Sequence, residues 1–422
     1  MNSSTEANAL AGGLKTLEAR GFVQQCTDRE GLAAEMARRP ITFYVGVDPT
    51  GGSLHAGHMI PIYASVHLAK AGHNPIILIG GGTAQIGDPS GKTEMRKMLS
   101  TEEIDANARS IEDQIRRFME GQGVQATFVN NAEWLRELGY IDFLRDIGRH
   151  FSVNRMLSFE TYKMRLETGL SFIEFNYQLL QSYDFLILKQ RHGCELQIGG
   201  DDQWGNIVAG ADLIRRVEGA DTFGLTFPLV TRADGKKMGK TEEGAVFLDP
   251  KLFSPYDFFQ YWRNVPDQDV EKFLKLYTFL PEAECERLGN LPGQEINGAK
   301  EVLARELTTL VHGPEEAERV LQAARAAFGS GASAAGEAEA IPETTMPAAA
   351  LQSGVAAVDL FAATGLCASK GEARRLIQQG GGRVNDEKVP SIDTVIDESW
   401  LVEGVLLLRA GKKRYHRVRP VS

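Results

Sequence analysis

Two histidines follow a glycine-containing loop near the beginning of the chain. The apolar residues at 43–47 predict a buried strand, and the apolar spacing from 55 to 71 predicts a helix with Ser53 as its N-cap. His55 and His58 would then share one helix face and could both contact one polyphosphate. Such a helix start also offers free backbone N–H groups and the positive end of its dipole, which favour a phosphate. A surface pair or half of a metal site would show the same spacing.

A Gly-Lys-Thr sequence at 91–93 suggests a phosphate-binding P-loop, but its spacing does not fit. The P-loop has four residues between its two glycines, and the position of the first glycine here holds Ile86. Gly87 lies one residue too close. The segment therefore predicts a turn with charged side chains, which either line a site or face solvent.

A polar stripe is expected on the helix predicted for residues 172–189. Tyr177, Gln181 and Asp184 are spaced i, i+4 and i+7, which places them on one face. The opposite face is apolar. The stripe is therefore either an exposed amphipathic surface or the lining of a pocket.

Two more segments combine glycines with charged residues. Gly200 ends a predicted strand, and Asp202 and Gln203 follow it directly. Bare glycine lets a nucleotide approach the backbone, and the acid could bind ribose hydroxyls. Lys237 and Lys240 lie on a glycine-hinged loop that could close on phosphates as charge builds on a leaving pyrophosphate.

Composition limits the class of protein. The chain has 422 residues, of which 43% are apolar and 24% charged, as expected for a folded protein of two to four domains. The net charge of -10 excludes a protein that is basic throughout, so any RNA contact must rest on a local patch. The four cysteines are far apart, which excludes a disulfide framework and a zinc site. The polar amino terminus and the lack of a long apolar run predict a cytoplasmic protein with no signal peptide.

The order of predicted elements indicates an α/β fold. Predicted strands alternate with helices as far as residue 218, and this alternation predicts a parallel sheet. The glycine-containing segments follow the strands, so they should meet at the carboxyl edge of the sheet, where such folds bind ligands. Residues 254–328 predict helices only. The predicted strands lie at 43–47, 75–80, 126–129 and 195–198.

The carboxyl-terminal end is rich in basic residues. Residues 368–377 predict a helix that carries Lys370, Arg374 and Arg375. This end could bind an RNA backbone that is recognised by shape, or it could be an ordinary solvated face. The basic residues that follow are Arg409, Lys412, Lys413, Arg414, Arg417 and Arg419.

The segments described above, taken in their order along the chain, resemble those of class I aminoacyl-tRNA synthetases. Residues 55–58 resemble the HIGH signature and 234–241 a short form of the KMSKS loop, while Tyr44 with 48–50 narrows the resemblance to the tyrosyl enzymes of bacterial type. The carboxyl-terminal end resembles an S4 RNA-binding domain. The resemblance implies a Rossmann-like parallel-sheet catalytic domain at 1–245, an α-helical anticodon-binding domain at 246–328, a linker at 329–350 and a small α+β S4-like domain at 351–422.

The resemblance also implies roles for individual residues. Catalytic roles fall on Thr50, His55, His58, Lys92, Arg96, Lys237, Lys240 and Thr241. Tyrosine-binding roles fall on Tyr44, Asp88, Tyr177, Gln181, Asp184 and Gln203. ATP-binding roles fall on Gly46, Asp48, His55, Gly57, His58, Gly200, Asp202 and Lys240. RNA-binding roles fall on Lys370, Arg374, Arg375, Arg409, Lys412, Lys413, Arg414 and Arg417, and no residue is expected to bind a metal.

Within the tyrosine site, the resemblance assigns each end of the substrate to a group of side chains. Tyr44 and Asp184 would bind the phenol hydroxyl, whereas Tyr177, Gln181 and Asp88 would bind the ammonium group. One position departs from the family, because many relatives have a cysteine in place of Val45 that bonds the ATP ribose. Valine has no hydrogen-bond donor on its side chain, so the ribose must be held in another way.

The implied reaction has two steps. Tyrosine and ATP would form tyrosyl-adenylate and pyrophosphate, and the tyrosine would then move to the 3′ end of tRNA(Tyr). Magnesium would arrive with ATP, and the protein would be a homodimer with residues 151–157 in its interface. Two alternatives remain: a tryptophanyl enzyme with the same fold, and an RNA-binding paralogue that has lost catalysis.

Overall fold

The computed structural model describes residues 3–90, 98–233, 235, 238–241, 244–328, 341–411 and 414–421. Contacts between residues divide the chain into two compact units. Residues 266–291, which the sequence placed in a helical domain, belong to the first unit. The first unit comprises Met1–Lys240, Ala245–Leu248 and Pro266–Leu291, and the second comprises Thr241–Gly244, Asp249–Val265 and Pro292–Ser422.

A six-stranded sheet forms the centre of the first unit. Its strands are β1 (Gln25–Cys26), β2 (Thr42–Val47), β3 (Asn74–Ile79), β4 (Thr127–Asn130), β5 (Cys194–Gly200) and β6 (Phe223–Phe227). They lie in the order β1-β6-β5-β2-β3-β4, and every neighbouring pair is parallel except β1 with β6. The predicted parallel α/β sheet is confirmed. Strands β1 and β6, which lie on one side of β5, were not predicted. Strand β1 has only two residues, and the sequence of β6 is not a clear apolar run.

Helices cover both faces of this sheet. Ser100 and Ser171 each cap a long helix and exchange hydrogen bonds with the glutamate three residues later, so the sequence starts these helices locally. Gly193 ends the second of them with a left-handed backbone, φ 62°. The helices of the first unit are α1 (Ser3–Ala19), α2 (Arg29–Arg38), α3 (Met59–Lys70), α4 (Thr101–Gly121), α5 (Ala132–Leu135), α6 (Tyr140–Asp146), α7 (Val153–Met156), α8 (Glu160–Thr168), α9 (Phe172–His192), α10 (Trp204–Glu218), α12 (Val270–Tyr277) and α13 (Glu282–Gly289).

The second unit combines helices with a small sheet. Its helices are α11 (Pro255–Arg263), α14 (Ile296–His312), α15 (Pro314–Phe328), α16 (Ala348–Ser353), α17 (Ala357–Ala363) and α18 (Lys370–Gln378). Two short strands, β7 (Lys240–Thr241) and β8 (Gly244–Ala245), fall at the boundary between the units. The remaining strands are β9 (Glu343–Pro347), β10 (Val355–Ala356), β11 (Gly382–Val384), β12 (Glu387–Lys388), β13 (Val395–Ile396), β14 (Leu406–Ala410) and β15 (Arg414–Val421).

A five-stranded sheet organises the carboxyl-terminal part of this unit. Its order is β12-β11-β14-β15-β9, and β9 pairs with β15 in parallel. The predicted linker at 329–350 is therefore wrong at its carboxyl-terminal end, because 343–350 contribute β9 and the start of α16. None of the described helices is both long enough and apolar enough to cross a bilayer.

Candidate active site

A cavity of about 310 Å³ opens at the carboxyl edge of the six-stranded sheet. The ends of β2 and β5 and one face of α9 line it, as expected for the ligand site of a parallel sheet. Thirteen residues with predicted roles meet here: Tyr44, Gly46, Asp48, Thr50, Gly57, His58, Asp88, Tyr177, Gln181, Asp184, Gly200, Asp202 and Gln203.

One end of the cavity presents a tyrosine hydroxyl beside a carboxyl group. Tyr44 is 1% exposed, and its hydroxyl has no hydrogen-bond partner within the described residues. Asp184 accepts hydrogen bonds from the Asn131 amide (2.9 Å) and from the Trp134 indole (2.8 Å). A buried hydroxyl without a partner is costly, so this end is suited to a ligand that carries a polar group.

Burial has the largest effect on the ionisation of Asp184 and Tyr44 at this end of the cavity. The pKa of Asp184 is raised to about 8, mainly by burial, while the hydrogen bonds from Asn131 and Trp134 lower it and the nearby charge of Asp48 makes a smaller contribution that raises it. Burial, followed by the charge of Asp184, also raises the pKa of the Tyr44 hydroxyl well above its usual range. At neutral pH the Asp184 carboxyl is therefore mostly protonated, and it can both donate and accept hydrogen bonds.

A second group of polar side chains surrounds Asp48. The Tyr177 hydroxyl donates to one carboxylate oxygen (2.7 Å), and the Thr83 hydroxyl donates to the other (2.7 Å). The Asn131 amide in turn donates to Thr83 (3.0 Å) as well as to Asp184. Because Tyr177 gives its proton to Asp48, its oxygen is left to accept a hydrogen bond from a ligand.

Asp88 provides a third carboxylate. It accepts the side-chain amide of Gln203 (2.7 Å) on one oxygen and the backbone N–H of Ser90 (2.9 Å) on the other. Burial, followed by the charge of Asp88, raises the pKa of Asp202. Two acidic side chains, Asp88 and Asp202, therefore line this part of the cavity, which favours a cationic ligand group.

The two histidines lie in a 3-10 turn that precedes α3, and not in the predicted helix. The turn spans Ala56–His58, and His55, in an extended conformation, caps it. The His55 Nδ1 atom accepts the backbone N–H of Gly57 (3.1 Å), and His58 Nδ1 accepts the N–H of His55 (3.4 Å). Because Nδ1 is an acceptor in both stacked rings, each neutral ring carries its proton on Nε2 and can donate it to a phosphate.

Two expectations about this turn are wrong. Ser53 does not cap a helix, because its hydroxyl donates to the Leu54 carbonyl (2.9 Å). The N–H of Ala56 bonds the Val246 carbonyl (2.9 Å), and Gly57 bonds His55, so these amides are not free for a phosphate. The candidate phosphate donors of this turn are therefore the histidine rings and not these two amides.

The segment that resembles the KMSKS loop (residues 234–241, the second signature segment) lies against this turn at Met238 and Gly239. A Cβ atom added to Gly239 would be 2.6 Å from the Gly57 nitrogen, and Gly239 has φ +80°. The Met238 carbonyl lies 3.1 Å from the position of a Cβ on Gly57. Only glycine permits this close approach. The two segments are therefore in backbone contact beside the cavity.

Some residues with predicted roles cannot be placed. Lys92, Arg96, Lys237, Lys412 and Lys413 lie outside the described residues. Lys240 and Thr241 form β7, but their side chains are not described.

The predicted RNA-binding cations differ in accessibility. Arg374 and Arg375 are exposed on α18. Arg417 does not fit its predicted role, because its side chain is only 5% exposed and pairs with Glu343 at 3.5 Å. Three others form ion pairs within the second unit: Lys370 with Asp359, Arg409 with Asp386, and Arg414 with Glu372.

Sequence reasoning missed four side chains of the polar network, namely Thr83, Asn131, Trp134 and Asn206. Asn131 directly follows β4, so the rule that ligands bind at the carboxyl edge of a parallel sheet would have identified it. Trp134 is one helical turn further on. Asn206 lies three residues after Gln203, in a segment where the predicted helix gave no reason to single it out.

Comparison with protein families gives two matches, which together cover most of the chain. Residues 36–329 match the model described as "tRNA synthetases class I (W and Y)". Residues 337–418 match the model of the "Tyrosine--tRNA ligase SYY-like C-terminal domain".

Individual relatives agree with these models. The tyrosine–tRNA ligase of Treponema denticola is 58% identical over 406 residues, which cover 96% of this chain and 98% of that protein. The tyrosine–tRNA ligase of Caldanaerobacter subterraneus is 52% identical over 405 residues, with the same coverage. The crystal structure of a C-terminally truncated mitochondrial tyrosyl-tRNA synthetase of Aspergillus nidulans is 30% identical, with a TM-score of 0.68 over 77% of this chain and 99% of that one.

Proposed function

Because this chain belongs to the tyrosine–tRNA ligases of class I, we propose that its cavity binds tyrosine with the phenol at Tyr44 and Asp184. The observation that supports this most is the buried Tyr44 hydroxyl, which has no partner within the described residues. A phenol hydroxyl would pair with it and with the Asp184 carboxyl. An indole would provide a single N–H at another position, so the tryptophanyl alternative fits this end less well.

At the opposite end, the tyrosine ammonium group would bind the acceptors around Asp88. An ammonium group has three donors and no acceptor. The Tyr177 oxygen, the Gln181 carbonyl and the Asp88 carboxylate could each accept one of these hydrogens. Both ends together would fix the substrate carboxylate beside the nucleotide.

ATP would lie over the two histidines and Asp202. The His55 and His58 Nε2–H groups would donate to phosphate oxygens, and Asp202 would accept the ribose hydroxyls. The substrate carboxylate attacks the α-phosphorus, so no side chain has to act as a covalent nucleophile. Catalysis then rests on positioning and on stabilising the leaving pyrophosphate, with magnesium entering as the Mg²⁺ complex of ATP. Further stabilisation would come from Thr50, Lys92, Arg96, Lys237, Lys240 and Thr241.

Pyrophosphate exchange tests the substrate. Purified protein is incubated with labelled pyrophosphate, Mg·ATP and each common amino acid in turn. Tyrosine should support exchange far better than phenylalanine or tryptophan. Faster exchange with tryptophan would refute the proposed pocket, and no exchange with any amino acid would favour a non-catalytic paralogue.

The second step would take place in the cytoplasm with tRNA(Tyr) held by the second unit. Exposed arginines on α18 support this role, because they can pair with phosphates. Replacing Arg374 and Arg375 by alanine should weaken tRNA charging without changing pyrophosphate exchange. Arg287→Ala, which removes an exposed arginine on α13, is the control. Unchanged charging by the double variant would contradict the assignment.

We also propose that the protein is a homodimer. Six large apolar side chains exposed on α6–α9 support this, because exposed apolar residues are common at interfaces. Phe172→Asp should produce monomers in sedimentation velocity, whereas Leu252→Asp, at an exposed leucine of the second unit, should not. A wild-type monomer would refute the proposal. The exposed side chains are Tyr140, Ile141, Val153, Met164, Leu166 and Phe172, and Val153 falls in the predicted interface segment 151–157.

A further inference from the structure

Three segments of the active site converge on the side-chain amide of one residue. Asn206, in the first turn of α10, is 5% exposed. Its amide nitrogen lies 3.1 Å from the Gln181 carbonyl oxygen, 3.2 Å from that of Gln203 and 3.4 Å from the Ser90 hydroxyl. Two N–H groups thus serve three acceptors, which come from α9, from the turn after β5 and from the turn around Asp88.

The charge of Asp88 sets the direction of every bond in this chain of amides. A carboxylate only accepts hydrogen bonds, so Gln203 must turn its NH₂ group towards Asp88, at 2.7 Å. The Gln203 oxygen then faces Asn206, which must present its own NH₂ group. Gln181 in turn must present its oxygen to Asn206. Reversing any one of these amides would place two like groups in contact.

These bonds do not serve the backbone. The N-cap of α10 is Gln203, and it makes no side-chain capping bond. Within the part of the chain that the structure describes, the hydrogen bonds of the Asn206 side chain go to other side chains, and two of its partners line the cavity. A residue needed only for the fold would more often bond the backbone, as most side-chain hydrogen bonds do.

We propose that Asn206 is a positioning residue for the recognition of the substrate ammonium group. It holds the Gln181 oxygen and the Asp88 carboxylate as acceptors where the ammonium binds, and it acts on Asp88 through Gln203. This inference rests on the proposed function, because it takes tyrosine as the ligand. A carbonyl oxygen has two lone pairs, so Gln181 can accept from Asn206 and from the ammonium at the same time.

The test compares ligands that share the phenol but differ at the other end. Asn206→Leu keeps the branched shape of the side chain and removes the donor. L-Tyrosine and tyramine carry the ammonium group, whereas 3-(4-hydroxyphenyl)propionate does not. The affinity for the first two, measured by titration calorimetry, should fall by about tenfold, which is near the upper end expected for the loss of a neutral hydrogen bond. The affinity for the propionate should stay within about twofold, since its binding makes no use of these acceptors.

Asn264→Leu is the matched control. Asn264 is half-buried, and its amide bonds the Gln260 carbonyl (2.7 Å) in the second unit. This variant should lose thermal stability without changing any of the three affinities. If Asn206→Leu gives no cooperative thermal transition, Asn206→Ala and Asn206→Ser carry the same comparison, and the serine variant, which keeps one donor, should recover part of the tyrosine affinity.

The outcomes separate this inference from the proposed function. Equal weakening of all three ligands would show a structural role and overturn the inference, as would unchanged binding of tyrosine and tyramine. Both results leave tyrosine as the substrate of the wild-type protein. If wild-type protein does not bind L-tyrosine, the proposed function fails and the inference falls with it.

Discussion

Replacing Tyr44 by phenylalanine should have opposite effects on folding stability and on tyrosine binding. The Tyr44 hydroxyl is buried without a partner within the described residues. The folded protein without ligand is therefore destabilised by the desolvation of this hydroxyl. That cost is about 1–3 kcal/mol for a polar group left unsatisfied, and removing the hydroxyl should raise the free energy of unfolding by part of it. The variant would also lose the proposed hydrogen bond to the substrate phenol. A neutral bond contributes about 0.5–1.5 kcal/mol, so tyrosine should bind about 2- to 13-fold more weakly.

Urea unfolding and titration calorimetry on the same preparation measure both effects. Tyr162→Phe is the control, because Tyr162 is equally buried but donates to the Phe175 carbonyl (3.0 Å). That variant should lose about 1 kcal/mol of stability and keep its tyrosine affinity. A Tyr44→Phe protein that is as destabilised as Tyr162→Phe would refute the reasoning, because the hydroxyl would then have a partner in the empty site.

Three more predictions follow from buried or exposed charges. Burial raises the pKa of Asp184 from 3.8 to about 8, so between these values the folded protein binds more protons than the unfolded chain. Stability to urea should therefore fall as pH rises through this window, by at most about 1.4 kcal/mol per pH unit, and Asp184→Asn should flatten the profile. Asp269 accepts the N–H of Ala233 (2.7 Å) at the base of the second signature segment, so Asp269→Ala should slow pyrophosphate exchange several-fold, whereas a loss of tyrosine affinity instead would contradict this role. Arg374→Ala should reduce the salt dependence of tRNA binding by about one unit of slope, and the buried Arg417→Ala should lower thermal stability without changing that slope.

The sequence predicted those site residues whose positions follow from a local pattern of residues. Tyr177, Gln181 and Asp184 share a helix face because their spacing alone determines it, and they do line the cavity. Asp88 and Asp202 follow turns with recognisable glycines. In these cases the chemistry and the element that carries it occupy the same short stretch of chain.

Long-range contacts explain what the sequence did not predict. Asn131 bonds Asp184 across 53 residues, and the pairing of β4 with β3 fixes the place of Asn131 in the sheet. The N–H of Ala56, in the His55 turn, is occupied because the chain returns at Val246, almost two hundred residues later. Such bonds depend on the packed sheet and not on local residue preferences.

The charges around the cavity imply an order of events. Asp48, Asp88 and Asp202 line it, and none of its described lining residues is a lysine or arginine. The negative potential attracts the ammonium group of an amino acid without help, but it repels a triphosphate. If the proposed function is right, tyrosine should therefore bind on its own, whereas ATP should bind with the charge neutralisation that magnesium provides. Low magnesium should then weaken the binding of the nucleotide while the amino acid still binds.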